Sequence, residues 1–332
     1  MNSIDAMSEL QALPRRLDAY LAAAGVSDGV ATVNGAPATA SQLVYPGEEV
    51  KVDGTTIERK ERPSRVHAYH KVAGEKIEDI RPNNCEGLSH VGQLDKKTTG
   101  LLLFTDDSEL SRLILCPGLL EKTYVVEIDA PRASAGLSPE QVASLTEKKP
   151  LPQNATERRK GRNERGTPVG FESVVCKGSK PIGDATRPTG CTPKSRFAYE
   201  VVVQSGANHV VKRLFDRAGQ AVRTLHRSAI GPVSCDVAAG EARALTADEV
   251  SALWAAVGGD GARTALRRAS LLCCARSGTD ERLRAYFRAE INGPRCYAAF
   301  PGLSCAHDDA AEPTPAPPKR ARLTAGEART TD

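Results

Sequence analysis

Val91 to Asp107 reads VGQLDKKTTGLLLFTDD, and it divides into a loop and a buried strand. Gly92 opens the loop and Thr98, Thr99 and Gly100 close it, before the continuous apolar run from Leu101 to Phe104. A run this short, bounded by turn residues, predicts a strand buried on both faces. Asp95 therefore hangs at the mouth of a core strand, between Leu94 and the cations Lys96 and Lys97. Two readings of that aspartate stay open: a turn residue bonding its own backbone, or a rigidly supported nucleophile or base.

Working outward, Asp107 is placed to cap a helix carrying Leu110, Leu113 and Ile114 inward, ending at Pro117-Gly118. In the stretch TYVVEI, period two puts Tyr124, Val126 and Ile128 on one mostly apolar face, where a core tyrosine is the plain reading. Phe197 to Gln204 predicts another strand. The helix after it buries Val211, Leu214, Phe215 and Ala218, stops at Gly219, and leaves Lys212 and Arg213 off the stripe. Leu225 to Ile230 is a further strand. Thr246 and Glu249 form a capping box before Val250, Leu253, Trp254 and Val257. Upstream, Leu17, Tyr20, Leu21 and Ala24 mark a short helix in Arg15 to Gly25, followed by extended pieces at Thr32 to Gly35 and Pro46 to Gly54.

The chain has 332 residues, 40% hydrophobic content and a net charge of +4, enough for two domains and a tail. Its charge is uneven: between Glu147 and Arg196 there are 12 Lys/Arg against 5 Asp/Glu. That segment, about 148–194, reads as a disordered basic insertion able to hold phosphates or simply solvated, and 258–332 reads as a disordered tail. No apolar run approaches the roughly eighteen residues of a membrane span and no secretory signal is visible. Nine cysteines without paired C-x-x-C spacing predict reduced thiols in an intracellular, reducing compartment. His67, His70 and His90 lack a carboxylate partner at helical spacing, so no metal is expected.

The Val91 to Asp107 stretch resembles the G-R-L-D-x-x-T-x-G-L-L-L-L-T-N-D signature of the RsuA/RluB-type ribosomal RNA pseudouridine synthases. EKTYVVEI at Glu121 to Ile128, GANHVVKRLFDRAGQAVRTLHRSAIGPV at Gly206 to Val233 and GEARALTADEVSAL at Gly240 to Leu253 match further blocks of that family in the same order. The resemblance implies an α+β fold with a mixed, mainly antiparallel sheet over 66–257, preceded by a 55–65 linker and a partial S4-like RNA-binding module over 1–54. It implies conversion of a uridine in ribosomal RNA to pseudouridine by a monomer, without a cofactor. Asp95 becomes the nucleophile, attacking either sugar or ring. Tyr124 sandwiches the base and is a candidate proton carrier, and Lys212 pairs with Asp95, with Arg213 the alternate one register away. Gln93, Lys96, Lys97, Arg213 and Arg227 become RNA contacts. Gln93 stands where the family has arginine, and Val210 where it has glutamine. The rival class is a noncatalytic RNA-binding or ribosome-assembly protein that keeps the fold.

Overall fold

The computed structural model describes residues 9–26, 29–59, 63–131, 136–151, 168–181, 194–278 and 280–288. A nine-stranded sheet organises the chain. Its strands are β1 (Val66–Lys71), β2 (Ser89–Val91), β3 (Thr99–Thr105), β4 (Lys122–Pro131), β5 (Ser173–Pro181), β6 (Lys194–Val203), β7 (Val222–Ile230), β8 (Val233–Ser234) and β9 (Ala242–Ala244). The order is β5-β6-β4-β7-β3-β1-β9, with β8 beside β7 and β2 beside β3. Only the β7–β3 pair is parallel, so the sheet is mixed and mainly antiparallel, as expected.

β3 lies inside this sheet because it has a hydrophobic side chain for each face. Leu101, Leu102 and Leu103 are all fully buried. Alternation sends Leu101 and Leu103 into one core and Leu102 and Phe104 into the other. Helices cover both faces. On the first lie α2 (Ser108–Leu115), capped by Asp107 through the Glu109 and Leu110 amides, and α5 (Ala247–Ala256), opened by the Thr246–Glu249 capping box. Against the second pack α3 (Pro139–Thr146) and α4 (Val210–Arg217). Upstream, α1 (Leu17–Ala23) and the strands Ala31–Val33 and Val50–Val52 enclose a small separate core of Leu17, Tyr20, Val33, Val44 and Val50. Thr55–Thr56 joins that small sheet, so the expected linker starts later than residue 55.

Further expectations need correction. The tail does not become irregular at Gly258. α6 (Gly259–Ser277) and α7 (Glu281–Tyr286) follow, and Leu266, Ala269, Leu272, Cys273 and Ala275 bury themselves in the first core. What holds α6 is an ion cluster. Arg267 donates to both carboxylate oxygens of Glu109 at 2.6 and 2.7 Å, and Arg263 pairs with Asp107 while stacking 4.0 Å above the Trp254 ring. α7 in turn reaches the N-terminal unit, where Arg282 donates to Glu48 at 2.7 Å and Tyr286 to the Ala12 carbonyl at 2.6 Å.

The basic insertion is also narrower than expected. β5 pairs with β6 along its length, and Lys149–Pro150 pairs with Pro168–Val169. Residues 152–167 and 182–193 of the expected insertion, and 289–332 of the expected tail, lie outside the described residues. Reduced thiols fail at Cys273, which is disulfide-bonded, whereas Cys85, Cys116, Cys176, Cys235 and Cys274 are free. Among the described residues no helix is long and apolar enough to cross a membrane.

Candidate active site

Asp95 is positioned from three sides. Beneath it, Leu94 is buried in the second core with Tyr124, Val210, Val211 and Leu214, which pins the loop to the sheet. Beside it, a turn closes where the Thr98 amide donates to the Asp95 carbonyl at 2.9 Å. From the end of β1, the fully buried Lys71 supplies a cation to the loop backbone. Its Nζ donates to the carbonyls of Thr98, Val72 and Lys96 at 3.0, 3.1 and 3.2 Å. Burial pushes the Lys71 ammonium below its ordinary pKa, while Glu75 and Asp95 oppose that push. A buried ammonium satisfied by carbonyls acts as an internal clamp, because removing its partners would leave an unpaired charge.

The third side comes from α4. Lys212 Nζ donates to Asp95 Oδ2 at 2.6 Å, and His209 Nε2 lies 2.9 Å from Asp95 Oδ1. Both carboxylate oxygens are thus held by one helix N-terminus, while the Asp95 side chain keeps 25% of its surface exposed. His209 is the residue preceding α4 and has φ +53°. A left-handed backbone is uncommon for a residue with a Cβ, and such outliers concentrate at functional sites. Here it turns the imidazole back over the helix start toward Asp95. Arg213 is directed elsewhere: its Nη1 donates to the Asn208 carbonyl at 3.1 Å. Lys212, not Arg213, therefore makes the pair.

Tyr124 is buried on β4, at a register shift where Thr123 faces Ala229 but Tyr124 faces Arg227. A bulge at this point re-aims the side chains around it. On the other side of β7, Arg227 faces Gly100. Gly100 has φ +105°, and a Cβ there would sit 2.2 Å from the Arg227 carbonyl oxygen, so only glycine lets β3 and β7 approach. This explains the glycine that follows Thr99 at the start of β3.

The expected RNA contacts divide. Gln93, Lys96 and Lys97 are exposed around Asp95, and neither lysine forms an ion pair with a described residue. Arg213 is half-buried on α4. Arg227 must be corrected: it is buried inside the sheet, where its Nε donates to the Leu101 carbonyl at 2.7 Å. It cannot reach a phosphate without leaving that site. Sequence reasoning missed His209 and Lys71. His209 was visible in the GANHVVKRL block but fell outside the helical stripe. Lys71 has the pattern of an ordinary strand-end lysine, and nothing near it in the chain marks it as buried.

The match to known proteins falls on this framework. A family model described as RNA pseudouridylate synthase matches residues 54–216, a span that contains Asp95, Tyr124, His209 and Lys212. That span is similar to RNA pseudouridylate synthases. It is 29% identical over 276 residues to ribosomal large subunit pseudouridine synthase B of Xanthomonas axonopodis pv. citri, an alignment covering 75% of this chain and 46% of the relative. It is 26% identical over 257 residues to the dual-specificity RNA pseudouridine synthase RluF of Escherichia coli K12, covering 71% of this chain and 77% of that one. A solved pseudouridylate synthase aligns with TM-score 0.43 at 24% identity, over 72% of this chain and 99% of that structure. The chain thus spans only about half the length of the first of these relatives. The matched span carries most strands of the sheet together with the Asp95 loop.

The histidines expected to be unrelated to a metal do not converge with one another. His67 and His90 flank Phe104 from β1 and β2, while His70, an odd number of residues from His67, points to the other sheet face.

Proposed function

We propose that this chain isomerises a uridine in ribosomal RNA to pseudouridine, with Asp95 as nucleophile, Tyr124 against the uracil and Lys212 orienting the carboxylate. The observation that carries this reading is the carboxylate of Asp95, supported at both oxygens yet open to solvent. A carboxylate offers about four lone-pair positions, so the two protein contacts leave lone pairs for a substrate. The reaction breaks the bond between base and sugar, turns the uracil and rejoins it through carbon five. No group is gained and nothing is oxidised, so one nucleophile and one proton shift suffice. Asp95 attacks either the sugar or the ring. The target nucleotide must leave its stack to reach Asp95, and Lys96, Lys97 and Gln93, all exposed, contact the RNA around it.

The test is to map pseudouridines in ribosomal RNA from cells lacking the gene, complemented with wild type or with Asp95→Asn. Wild type should restore at least one missing pseudouridine and Asp95→Asn none, with both proteins folded and equal in RNA affinity. A wild-type protein that restores no site would leave the noncatalytic reading in its place.

A further inference from the structure

Outside the Asp95 site, His70 at the end of β1, His226 on β7 and Cys235 just after β8 meet behind the catalytic loop. One ligating atom from each lies within 4.8 Å of the others. The rings of His70 and His226 stand 5.3 Å apart between centroids. Both imidazoles are fixed through the same nitrogen. His70 Nδ1 is 2.8 Å from the Val237 carbonyl oxygen, and His226 Nδ1 is 2.9 Å from Thr99 Oγ1. A carbonyl only accepts, so Nδ1 of His70 carries the proton and its Nε2 is left with a lone pair. If Nδ1 of His226 donates to Thr99, the same holds there. An imidazole whose far nitrogen donates to a carbonyl or hydroxyl has the second-shell arrangement of a metal-bound histidine.

We propose that His70, His226 and Cys235 form a binding site for a borderline divalent transition metal, with zinc the ion that fits best. Two imidazoles and a thiolate are a donor set zinc accepts, water completing a tetrahedron. Tetrahedral bonds of about 2.0 to 2.3 Å put neighbouring ligands roughly 3.3 to 3.8 Å apart. The present spacing therefore needs a closure of about 1 Å, within reach of small side-chain rotations. On binding, the Cys235 thiol gives up its proton to solvent, and no electron moves. The ion would tie β1 to the β7–β8 turn across the start of β3. Thr99, which holds His226, is the first residue of β3 and directly follows Thr98, whose carbonyl Lys71 clamps. The site is thus a structural clip behind the loop that carries Asp95, and it rests on none of the catalytic roles proposed above.

The experiment uses the full chain, stripped with a chelator and titrated with cobalt(II) as a spectroscopic probe for zinc. One equivalent should give tetrahedral visible bands with a near-ultraviolet thiolate-to-cobalt band, and zinc should bleach both. Cys235→Ser should lose the thiolate band, and His70→Gln the tetrahedral pattern. Thr99→Val should weaken apparent affinity roughly 10- to 100-fold. Cys176→Ser, which removes an exposed free thiol, should keep every signal. Melting of each variant in chelator, matched to chelated wild type, establishes that it folds. Absence of a one-equivalent transition in wild type, or a thiolate band that survives Cys235→Ser, overturns the site.

Discussion

Lys212 Nζ and Asp95 Oδ2 meet at 2.6 Å across a sequence separation of 117 residues. The pair joins α4 to the loop before β3, so it sets where the carboxylate points. Replacing Lys212 by methionine keeps most of the length of the side chain and removes the charge. Turnover should fall about 10²-fold, the scale of a misplaced reacting group, while RNA affinity changes by less than about threefold. Single-turnover kinetics and filter binding on the same RNA separate the two. Equal losses in both would make Lys212 a phosphate contact instead.

His209 offers a cleaner separation of stability from chemistry. Its φ of +53° strains any residue with a Cβ, so His209→Gly should relieve strain while deleting the contact to Asp95 Oδ1. The variant should match or exceed wild type in urea stability by a few tenths of a kcal/mol and still lose turnover. His209→Ala should lose turnover equally but sit about 1 kcal/mol lower in stability than His209→Gly. If His209→Gly turns over like wild type, the second contact to Asp95 is incidental.

Gly100→Ala tests the close approach of β3 and β7. The added methyl would stand 2.2 Å from the Arg227 carbonyl oxygen and 2.7 Å from its amide nitrogen, on a backbone with positive φ. Strain and overpacking together should cost about 2 to 5 kcal/mol. A urea midpoint indistinguishable from wild type would show that the strands part without penalty.

Lys122 should leave a mark on the pH dependence of stability. It is buried, with its ammonium donating to the Ile114 and Leu120 carbonyls at 3.3 Å each. Burial, reinforced by the nearby Arg227 charge, brings it down to about 8. A cation with a depressed folded value is less protonated in the fold than in the unfolded chain. Between about 8 and the ordinary lysine value of ~10.4, stability should therefore rise with pH, by on the order of 3 kcal/mol. Lys122→Met removes this contribution. The stability difference between wild type and variant, from urea unfolding at about pH 7.5 and about pH 10.5, should shift by that amount in favour of wild type. A pH-independent difference would mean that Lys122 stays protonated in the fold.

The ion cluster at the start of α2 predicts that α6 cannot be removed. Ending the chain after Gly258 strips Leu266, Leu272 and Cys273 from the first core and leaves Asp107 and Glu109 without Arg263 and Arg267. Loss of one partner from a buried pair alone costs about 3 to 5 kcal/mol, so the truncated chain should be insoluble or largely unfolded. Asp107 adds an acid signature. Burial opposes its charge, yet Arg263, Ser64 and the Leu110 amide hold the carboxyl below its ordinary range. Its stabilising contribution is present at neutral pH and disappears as pH falls through that depressed value, so Asp107→Asn should flatten the acid limb. A truncated chain that melts like the full one would sink the assignment of α6 to the core.

What the sequence determined by itself is what neighbouring residues decide among themselves. The β3 apolar run, the alternation in β4, the Asp107 cap and the Thr246–Glu249 capping box are all satisfied within a few residues, so their patterns read directly. Family resemblance added the Asp95–Lys212 pairing, which no local pattern contains. The tertiary structure decided where charges find partners. Arg263 and Arg267 look like a solvated helix face, and the stripe of Ala262, Leu266, Ala269 and Cys273 is too weakly hydrophobic to announce a core helix. Both arginines become buried because Asp107 and Glu109, more than 150 residues away in the chain, neutralise them. Arg227 and Lys71 were likewise indistinguishable from surface cations until the sheet gave them carbonyls to bond. A charge is buried only where distant groups replace its water, and the identity of those groups is a property of the fold.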